Sequence, residues 1–317
     1  MEQRNTQEDL HVGKNGWLYL TGGSNQPLRF YTDTEFLTQR HVSGWVDRIR
    51  NRSTKAKQLG ADFFHFFAPD KLSIYAEFCE VKLVFFERRP GNLVRQAVIN
   101  DGLGKHILDV ETALLQAKLH NSVYWKTDTH WTAHGTLAVY KAVCEKLGVI
   151  PRVSLENAPF KDSHRLMDLG RKLNPPALET LRLYDISSSA KRVHTNVLVD
   201  EAEALSKSTN ISGLQSGAYV AYKNDNPQAH DAKLVLFGDS YSELRPRGLT
   251  AMFAETFREV HFFWSSSVDF RKLEAIRPDF VVSELAERFA RVLPNDARDL
   301  DAYAMERLQA HRSARIQ

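Results

Sequence analysis

Residues 233–242, KLVLFGDSYS, join an apolar run to a polar turn. The run 233–237 predicts a buried β-strand, because short apolar runs bounded by turn residues are typical of strands covered on both faces. A helix is predicted to follow over about residues 247–257, and Gly238 permits a tight turn with close backbone approach between the two. Ser240 is therefore expected to project from the carboxyl edge of a sheet, where α/β proteins bind their ligands.

Strand-like and helix-like segments alternate on both sides of this stretch. Further helices are predicted over about 33–59, 93–99, 111–119, 135–147, 270–276 and 299–310, and further strands over 63–68, 106–110, 122–125, 260–264 and 280–283. Strands separated by helices of about ten residues indicate βαβ units. The expected fold class is α/β, a mainly parallel sheet with helices on both faces. Residues from about 151 to 230 have weak periodicity and are predicted to be an irregular insertion, with a small antiparallel piece at 217–222.

The composition fits a globular protein and argues against several functional classes. The chain has 317 residues, 43% hydrophobic and 26% charged, which is close to ordinary globular usage. Its 42 Lys and Arg nearly balance its 39 Asp and Glu, so a nucleic-acid partner is not expected. Cys79 and Cys144 lie in no metal-binding spacing. No apolar run is long enough to span a membrane and no apolar signal-peptide core is present, so neither element is predicted.

A second polar segment, residues 127–131 (TDTHW), contains the partners that a nucleophilic serine needs. Asp128 and His130 are two residues apart, so in an extended stretch their side chains point to the same side. The carboxylate can then hold one ring nitrogen and leave the other free as a base, without which a serine hydroxyl is a poor nucleophile. The alternative is a capping Asp128 and a partly exposed His130. His134 lies nearby, but two histidines without a third ligand make a poor metal site, so no metal is predicted.

Ser240, His130 and Asp128 are each predicted at the end of a strand, so they could meet as nucleophile, base and orienting acid. Such triads occur with different chain orders, and the order Asp, His, Ser is therefore no obstacle. Taken alone, the segment around Ser240 also fits an ordinary turn in which Asp239 or Ser240 caps the following helix.

Five short segments follow one another along the chain: 13–19 (GKNGWLY), 68–71 (APDK), 124–131 (YWKTDTHW), 237–241 (FGDSY) and 277–288 (RPDFVVSELAER). In this order they resemble the alginate O-acetyltransferase (AlgX/AlgJ-like) branch of the SGNH hydrolase superfamily. The resemblance covers about residues 11–291 apart from the insertion. It includes no counterpart of the carbohydrate-binding module of the AlgX type, so a single domain over 1–317 is expected.

The resemblance implies a flavodoxin-like SGNH fold with a permuted motif order. It implies Ser240 as nucleophile, His130 as base and Asp128 as its orienting residue, with an acetyl group passing through an acetyl-serine to a carbohydrate or exopolysaccharide hydroxyl. It implies an acetyl donor but no cofactor, and a periplasmic bacterial protein, and leaves room for a membrane-bound acyl-transfer partner. A carbohydrate acetylesterase with the same residues and a non-catalytic glycan-binding scaffold stay open as alternatives.

Three residues near these motifs are candidates for substrate binding or for stabilising an oxyanion. Trp131 could stack on a sugar or wedge its loop, and Tyr241 could donate to an oxyanion or pack. Arg245 follows the nucleophile closely and could meet an acidic glycan or simply face solvent.

Charged residues at two other strand ends have a structural and a functional interpretation. Arg288 is expected to form an ion pair with Glu284 or Glu287 and is otherwise a candidate substrate contact. Asp70 and Lys71 are expected to form a structural turn pair, the alternative being that they line the site.

Overall fold

In the computed structural model, a six-stranded sheet forms the centre of the described part of the chain, residues 9–186, 189–205, 213–243 and 248–316. The strands are β1 (Leu10–Val12), β2 (Leu18–Leu20), β3 (Asp62–Ala68), β4 (Phe160–Leu166), β5 (Leu178–Tyr184), β6 (Lys191–Thr195), β7 (Tyr219–Lys223), β8 (His230–Gly238), β9 (Phe257–Trp264) and β10 (Phe280–Ala286). The helices are α1 (Arg29–Thr32), α2 (Gln39–Gln58), α3 (Lys71–Ile74), α4 (Pro90–Asn100), α5 (Val110–Lys118), α6 (Ala133–Leu147), α7 (Val197–Leu205), α8 (Leu249–Thr256), α9 (Phe270–Ile276) and α10 (Leu300–Ile316).

The central sheet has the strand order β3-β10-β8-β9-β7-β6. Strands β3, β10, β8 and β9 are parallel to one another, whereas β7 and β6 extend the sheet in antiparallel fashion. The predicted α/β class with a mainly parallel sheet is therefore confirmed. Since the carboxyl ends of parallel strands meet at one edge, the turns after β3, β8 and β10 lie side by side.

The apolar run in β8 is buried because the sheet is covered on both faces. Leu234 and Leu236 belong to one hydrophobic core, and Val235 and Phe237 belong to the other, as the alternation of side chains along a strand requires. Helices α5, α6 and α8 contribute to the first core and helices α2, α4 and α9 to the second. Among the described helices, none combines the length and apolarity needed to cross a bilayer.

Helix boundaries follow local capping chemistry more closely than the hydrophobic pattern. Helix α2 begins at Gln39 rather than near residue 33, because Thr38 and His41 form a capping box in which the Thr38 N–H donates to His41 Nδ1 at 3.1 Å. Helix α6 ends at Leu147, as predicted, and is followed by Gly148, whose φ of 68° is one that glycine adopts without strain.

The two short strands predicted at 106–110 and 122–125 are wrong. Each contributes a single isolated bridge, Ile107 to His65 and Tyr124 to Trp131. The first segment leads directly into α5 and the second turns back toward α6, so the polar residues that cap these helices end the extended backbone after one pair.

The insertion predicted at about 151–230 is more regular than its weak periodicity indicated. It contains the antiparallel hairpin β4–β5, strand β6, helix α7 and strand β7, and β7 confirms the antiparallel piece expected at 217–222. Strand β4 is exposed along almost its whole length, so no burial imposes an apolar alternation on it. The assignment of residues 1–317 to one domain stays a prediction.

Candidate active site

The turn after β8 is anchored to the end of β10 through Asp239. One carboxylate oxygen of Asp239 accepts from the Tyr241 N–H at 2.9 Å, and the other accepts from the Ala286 N–H at 2.8 Å. These two bonds satisfy backbone donors that would otherwise be buried without a partner. Asp239 therefore holds the turn in one shape and presents Ser240 at the carboxyl edge of the sheet.

The turn is tightly packed around Gly238 and Glu284. A Cβ on Gly238 would lie 2.5 Å from Ser242 Oγ and 2.7 Å from Glu284 Oε2, so a side chain has no room there. Glu284 Oε2 accepts from the Asp239 N–H at 2.9 Å and from the Ser242 hydroxyl at 2.7 Å. Burial, with the charge of Asp239 adding to it, raises the pKa of Glu284 well above its usual value, which favours the neutral acid beneath the turn.

The three residues predicted as a triad lie in contact. His130 Nε2 is 2.8 Å from Ser240 Oγ, and His130 Nδ1 is 2.6 Å from Asp128 Oδ1. The same Asp128 oxygen accepts from the His130 N–H at 2.8 Å, which fixes the carboxylate relative to the ring. Asp128 is buried, and the imidazole of His130 is one-third exposed, at 33%. The imidazole can thus be reached from solvent, whereas the carboxylate beside it cannot.

The electrostatics of this pair favour an ionised carboxylate beside a basic imidazole. Burial by itself would raise the pKa of Asp128, but the hydrogen bonds and charge of His130, together with the charge of Lys71, lower it overall. Burial by itself would lower the pKa of His130, but the hydrogen bond and charge of Asp128 raise it overall. Asp128 therefore stays an acceptor and strengthens His130 as a proton acceptor.

Lys71 supports the segment that carries Asp128 and His130. Its Nζ donates to the carbonyl oxygens of Trp125 and Lys126, each at 2.8 Å, and burial lowers the pKa of its ammonium to about 7. Lys71 and its neighbour Asp70 contact different partners, and neither lines the cavity beside Ser240. Lys71 braces the loop before the triad residues, and sequence spacing gave no sign of these partners.

Asp168, in the insertion, is a site residue that the sequence analysis missed. Its carboxylate accepts from the Thr129 N–H at 2.9 Å and from the Thr129 hydroxyl at 2.5 Å, between the two triad residues Asp128 and His130. No motif marks Asp168, since it lies in a loop that only the tertiary fold brings here.

Ligand atoms of Asp128, His130 and Asp168 lie within 4.8 Å of one another, the kind of grouping that can hold a metal ion. Donors from the protein already engage both carboxylates, Asp128 through His130 and Asp168 through Thr129. His134, the other histidine considered, contacts the Tyr184 hydroxyl at 3.3 Å instead. The absence of a metal stays a prediction.

The structure favours packing roles for Trp131 and Tyr241. Trp131 is 5% exposed, and its Nε1 donates to the Tyr124 hydroxyl at 2.7 Å. Tyr241 is 3% exposed, and its hydroxyl donates to the Thr129 carbonyl at 2.8 Å, so this proton is already used in a hydrogen bond within the protein. The two rings pack against each other with centroids 4.7 Å apart. Arg245 lies outside the described residues.

Arg288 forms its ion pair with Asp70, so the expectation of Glu284 or Glu287 is wrong. Arg288 Nη1 lies 2.6 Å from Asp70 Oδ1, and both side chains are buried. The pair forms because β3 and β10 are parallel neighbours, so the turns that follow them meet. Glu287 instead accepts from the Asp70 N–H at 2.8 Å, and burial raises the pKa of Glu287 to about 7. Arg288 Nη1 also donates to the Tyr241 hydroxyl at 3.3 Å.

A cavity of about 220 Å³ opens beside Ser240 and His130. Its walls combine aromatic residues with aliphatic ones, among them Trp125, Tyr184, Trp264, Leu155, Leu181 and Met252. Strand β5 supplies the stretch from Leu181 to Tyr184, so the insertion forms one wall of the cavity. A mostly apolar cleft with a few convergent polar groups is typical of a small-molecule site.

Residues 10–163, which include Asp128 and His130, match the family model of the SGNH hydrolase-like domain, acetyltransferase AlgX. No curated protein matches the chain.

Several solved structures share the fold at low sequence identity. The O-acetyltransferase domain of Pseudomonas putida AlgJ has a TM-score of 0.58 at 15% identity, over 94% of this chain and 98% of that one. Bacillus cereus PatB1 has a TM-score of 0.56 at 14% identity, over 92% and 98%. Pseudomonas aeruginosa AlgX has a TM-score of 0.55 at 16% identity, over 93% of this chain and 65% of that one. The family model over residues 10–163 and the fold shared over more than nine-tenths of the chain confirm the resemblance to the AlgX/AlgJ-like branch.

Proposed function

We propose that the protein is an O-acetyltransferase that moves an acetyl group to a carbohydrate hydroxyl through an acetyl-Ser240 intermediate. The observation that carries this proposal is the chain of contacts from Ser240 Oγ to His130 Nε2 at 2.8 Å and from His130 Nδ1 to Asp128 at 2.6 Å. The similarity to the O-acetyltransferase domain of AlgJ supports acetyl transfer as the reaction.

In the first half-reaction, Ser240 Oγ attacks the carbonyl carbon of the acetyl donor. His130 Nε2 takes the hydroxyl proton as the new carbon–oxygen bond forms, and Asp128 stabilises the imidazolium through Nδ1–H. When the tetrahedral intermediate collapses, the bond to the leaving group breaks and His130 returns the proton to that group. The product is acetyl-Ser240 with a neutral His130.

The Ser240 N–H is the donor best placed for the oxyanion of this intermediate. Its neighbours in the turn donate inside the protein, the Asp239 N–H to Glu284 and the N–H groups of Tyr241 and Ser242 to Asp239. Among the described residues, the Ser240 N–H has no such partner. A donor aimed at developing charge contributes about 10²–10³-fold to a rate.

In the second half-reaction, an acceptor hydroxyl gives its proton to His130 while its oxygen bonds to the acetyl carbon. The bond from that carbon to Ser240 Oγ then breaks, and His130 returns the proton to Oγ. Water in place of the sugar would make the protein an esterase. The cavity beside Ser240, with its aromatic walls, favours a bound sugar because positioning can contribute several kcal/mol, up to about 7–11 in well-oriented systems.

The test of this function follows both products of one acetyl donor. The protein is given p-nitrophenyl acetate with and without neutral and uronate-containing oligosaccharides, and free acetate and acetylated sugars are measured, the latter by mass spectrometry. We expect an oligosaccharide to reduce the acetate released per donor consumed and to become acetylated. The esterase alternative takes over if no oligosaccharide is acetylated and acetylated glycans lose their esters instead. A membrane-bound acetyl-supplying partner and a periplasmic location stay predictions of the resemblance.

The pH dependence of the reaction provides an independent prediction. His130 must be neutral to accept the Ser240 proton, and its pKa is raised above the ordinary 6.5 mainly by Asp128 against the effect of burial. The acidic limb of kcat/KM for a small ester is therefore expected to have its midpoint above 6.5. In Asp128→Asn the midpoint should move to lower pH, because the charge that favours the imidazolium is gone. An unchanged midpoint in this variant would show that His130 is not the titrating base.

A further inference from the structure

We infer that Trp125 is the surface on which the pyranose ring of the acceptor lies while one of its hydroxyls reaches Ser240. This inference rests on the proposed function and assigns the acceptor contact to a residue that the motif analysis passed over. The acceptor class it names is a cyclic sugar with an apolar C–H face, rather than any alcohol.

The first support is the position of Trp125 relative to the base. Its backbone N–H donates to the His130 carbonyl at 3.3 Å, so the two residues are joined across one turn. Both also line the cavity that contains Ser240. A ring that lies on Trp125 is therefore held beside the imidazole that must take the proton of the acceptor hydroxyl.

The second support is that the Trp125 indole is available. It is half-buried, and among the described residues it has no aromatic neighbour and no hydrogen bond to its Nε1. Trp131, six residues later in the same motif, is 5% exposed and is committed to Tyr124 and Tyr241. A half-buried indole with an unengaged N–H offers both an apolar surface and a donor to a sugar oxygen.

The other partly exposed aromatic rings described in this cavity have protein partners. Tyr184 packs edge-on against His134 with centroids 5.7 Å apart, and its hydroxyl contacts the same histidine. Trp264 packs against Phe262 with centroids 6.2 Å apart. These rings shape the wall of the cavity, whereas Trp125 lines it with no aromatic partner among the described residues.

The third support is that the backbone of Trp125 is held in place. Lys71 Nζ donates to the carbonyl oxygens of Trp125 and Lys126 at 2.8 Å each, and Lys71 is itself buried. Side chains that position a substrate are effective only when the structure around them fixes their place. The buried Lys71 thus orders the backbone from which the indole projects.

The experiment compares two acceptors, one with a pyranose ring and one without. Acetyl transfer from p-nitrophenyl acetate is measured to methyl β-D-glucopyranoside and to sorbitol, at equal hydroxyl concentration, in the wild type, Trp125→Ala and Trp125→Phe. We expect the wild type to prefer the pyranoside and Trp125→Ala to lose about tenfold of that preference, the size expected for one aromatic contact. Hydrolysis of p-nitrophenyl acetate without acceptor is measured in each variant as the reference for its transfer rates, and Trp125→Phe should restore most of the preference.

Phe160→Ala is the matched control, because Phe160 is an exposed aromatic residue on the neighbouring hairpin that does not line the cavity. It should keep the preference for the ring. The inference is overturned if the wild type shows no preference for the pyranoside, or if Trp125→Ala keeps it. If Ser240→Ala hydrolyses p-nitrophenyl acetate as fast as the wild type, the proposed function fails and the inference fails with it. That outcome is distinct from the first two.

Discussion

Ser240→Ala is expected to lower turnover of a small acetyl ester by about 10³-fold or more while leaving the fold intact. Ser240 Oγ is the atom that would carry the acetyl group, and its hydrogen bond is to His130 Nε2 at 2.8 Å. The change removes one hydroxyl at the mouth of a cavity, so little stability depends on it. His130→Ala should cost a similar factor, and the double variant should be no worse than either single one, because the residues act as a unit.

A covalent probe separates loss of the nucleophile from loss of the fold. A sulfonyl fluoride should modify wild-type Ser240, as identified by peptide mass spectrometry, and should leave Ser240→Ala unmodified. His130→Ala should react much more slowly, since the serine then lacks its base. The unfolding transitions of the variants should match that of the wild type. Near-native turnover in Ser240→Ala would contradict the assignment of the nucleophile.

The largest effect on stability is expected from Arg288→Met. Arg288 and Asp70 are 2.6 Å apart and buried, so the change leaves a buried carboxylate without its cation. Removal of one partner from such a pair costs about 3–5 kcal/mol in the free energy of unfolding. Burial already raises the pKa of Asp70, and without Arg288 it should rise further, so the folded variant binds a proton more readily than the unfolded chain. The loss, measured by urea denaturation, should therefore be larger at neutral pH than in mild acid.

Arg182→Met is the matched control for this stability measurement. Arg182 pairs with Asp162 at 3.1 Å, but the two side chains are 49% and 47% exposed. Solvent screens such a pair, and its removal should cost less than about 1 kcal/mol. Equal losses in the two variants would show that the Arg288–Asp70 pair has no special weight in holding the ends of β3 and β10 together.

The fold elements that the sequence predicted well are those with a strong local signal. The apolar run 233–237 forms the centre of β8, because the two hydrophobic cores bury both of its faces. Helix α6 ends at Leu147 as predicted, just before Gly148 with its positive φ. The hairpin β4–β5 had no such signal, since exposed strands carry no alternation to detect. The strands predicted at 106–110 and 122–125 did not form, because helix capping competes with β-strand pairing over segments this short.

The candidate site likewise has a part that the sequence predicted and a part that it did not. Asp128 and His130 could be grouped from their spacing alone, because side chains two residues apart in an extended stretch point to the same side. That Ser240 would meet them, 110 residues away in the chain, was a hypothesis from strand ends and motif order, and the tertiary contact joins them at 2.8 Å. Arg288 pairs with Asp70 rather than with the glutamates that are nearer in sequence. The reason is that the order of strands in the sheet puts the turn after β3 beside the turn after β10.

By itself, the sequence determined the α/β class and the turn that presents Ser240, and it led to the hypothesis that a serine, a histidine and an aspartate act together. These follow from short-range rules: periodicity, turn chemistry and spacing. The tertiary structure alone decided that Asp168 supports the segment between Asp128 and His130 and that Trp125 stays half-buried whereas Trp131 is buried. The physical reason is that burial and partnership depend on which distant segments share a limited space, and no local pattern records that outcome.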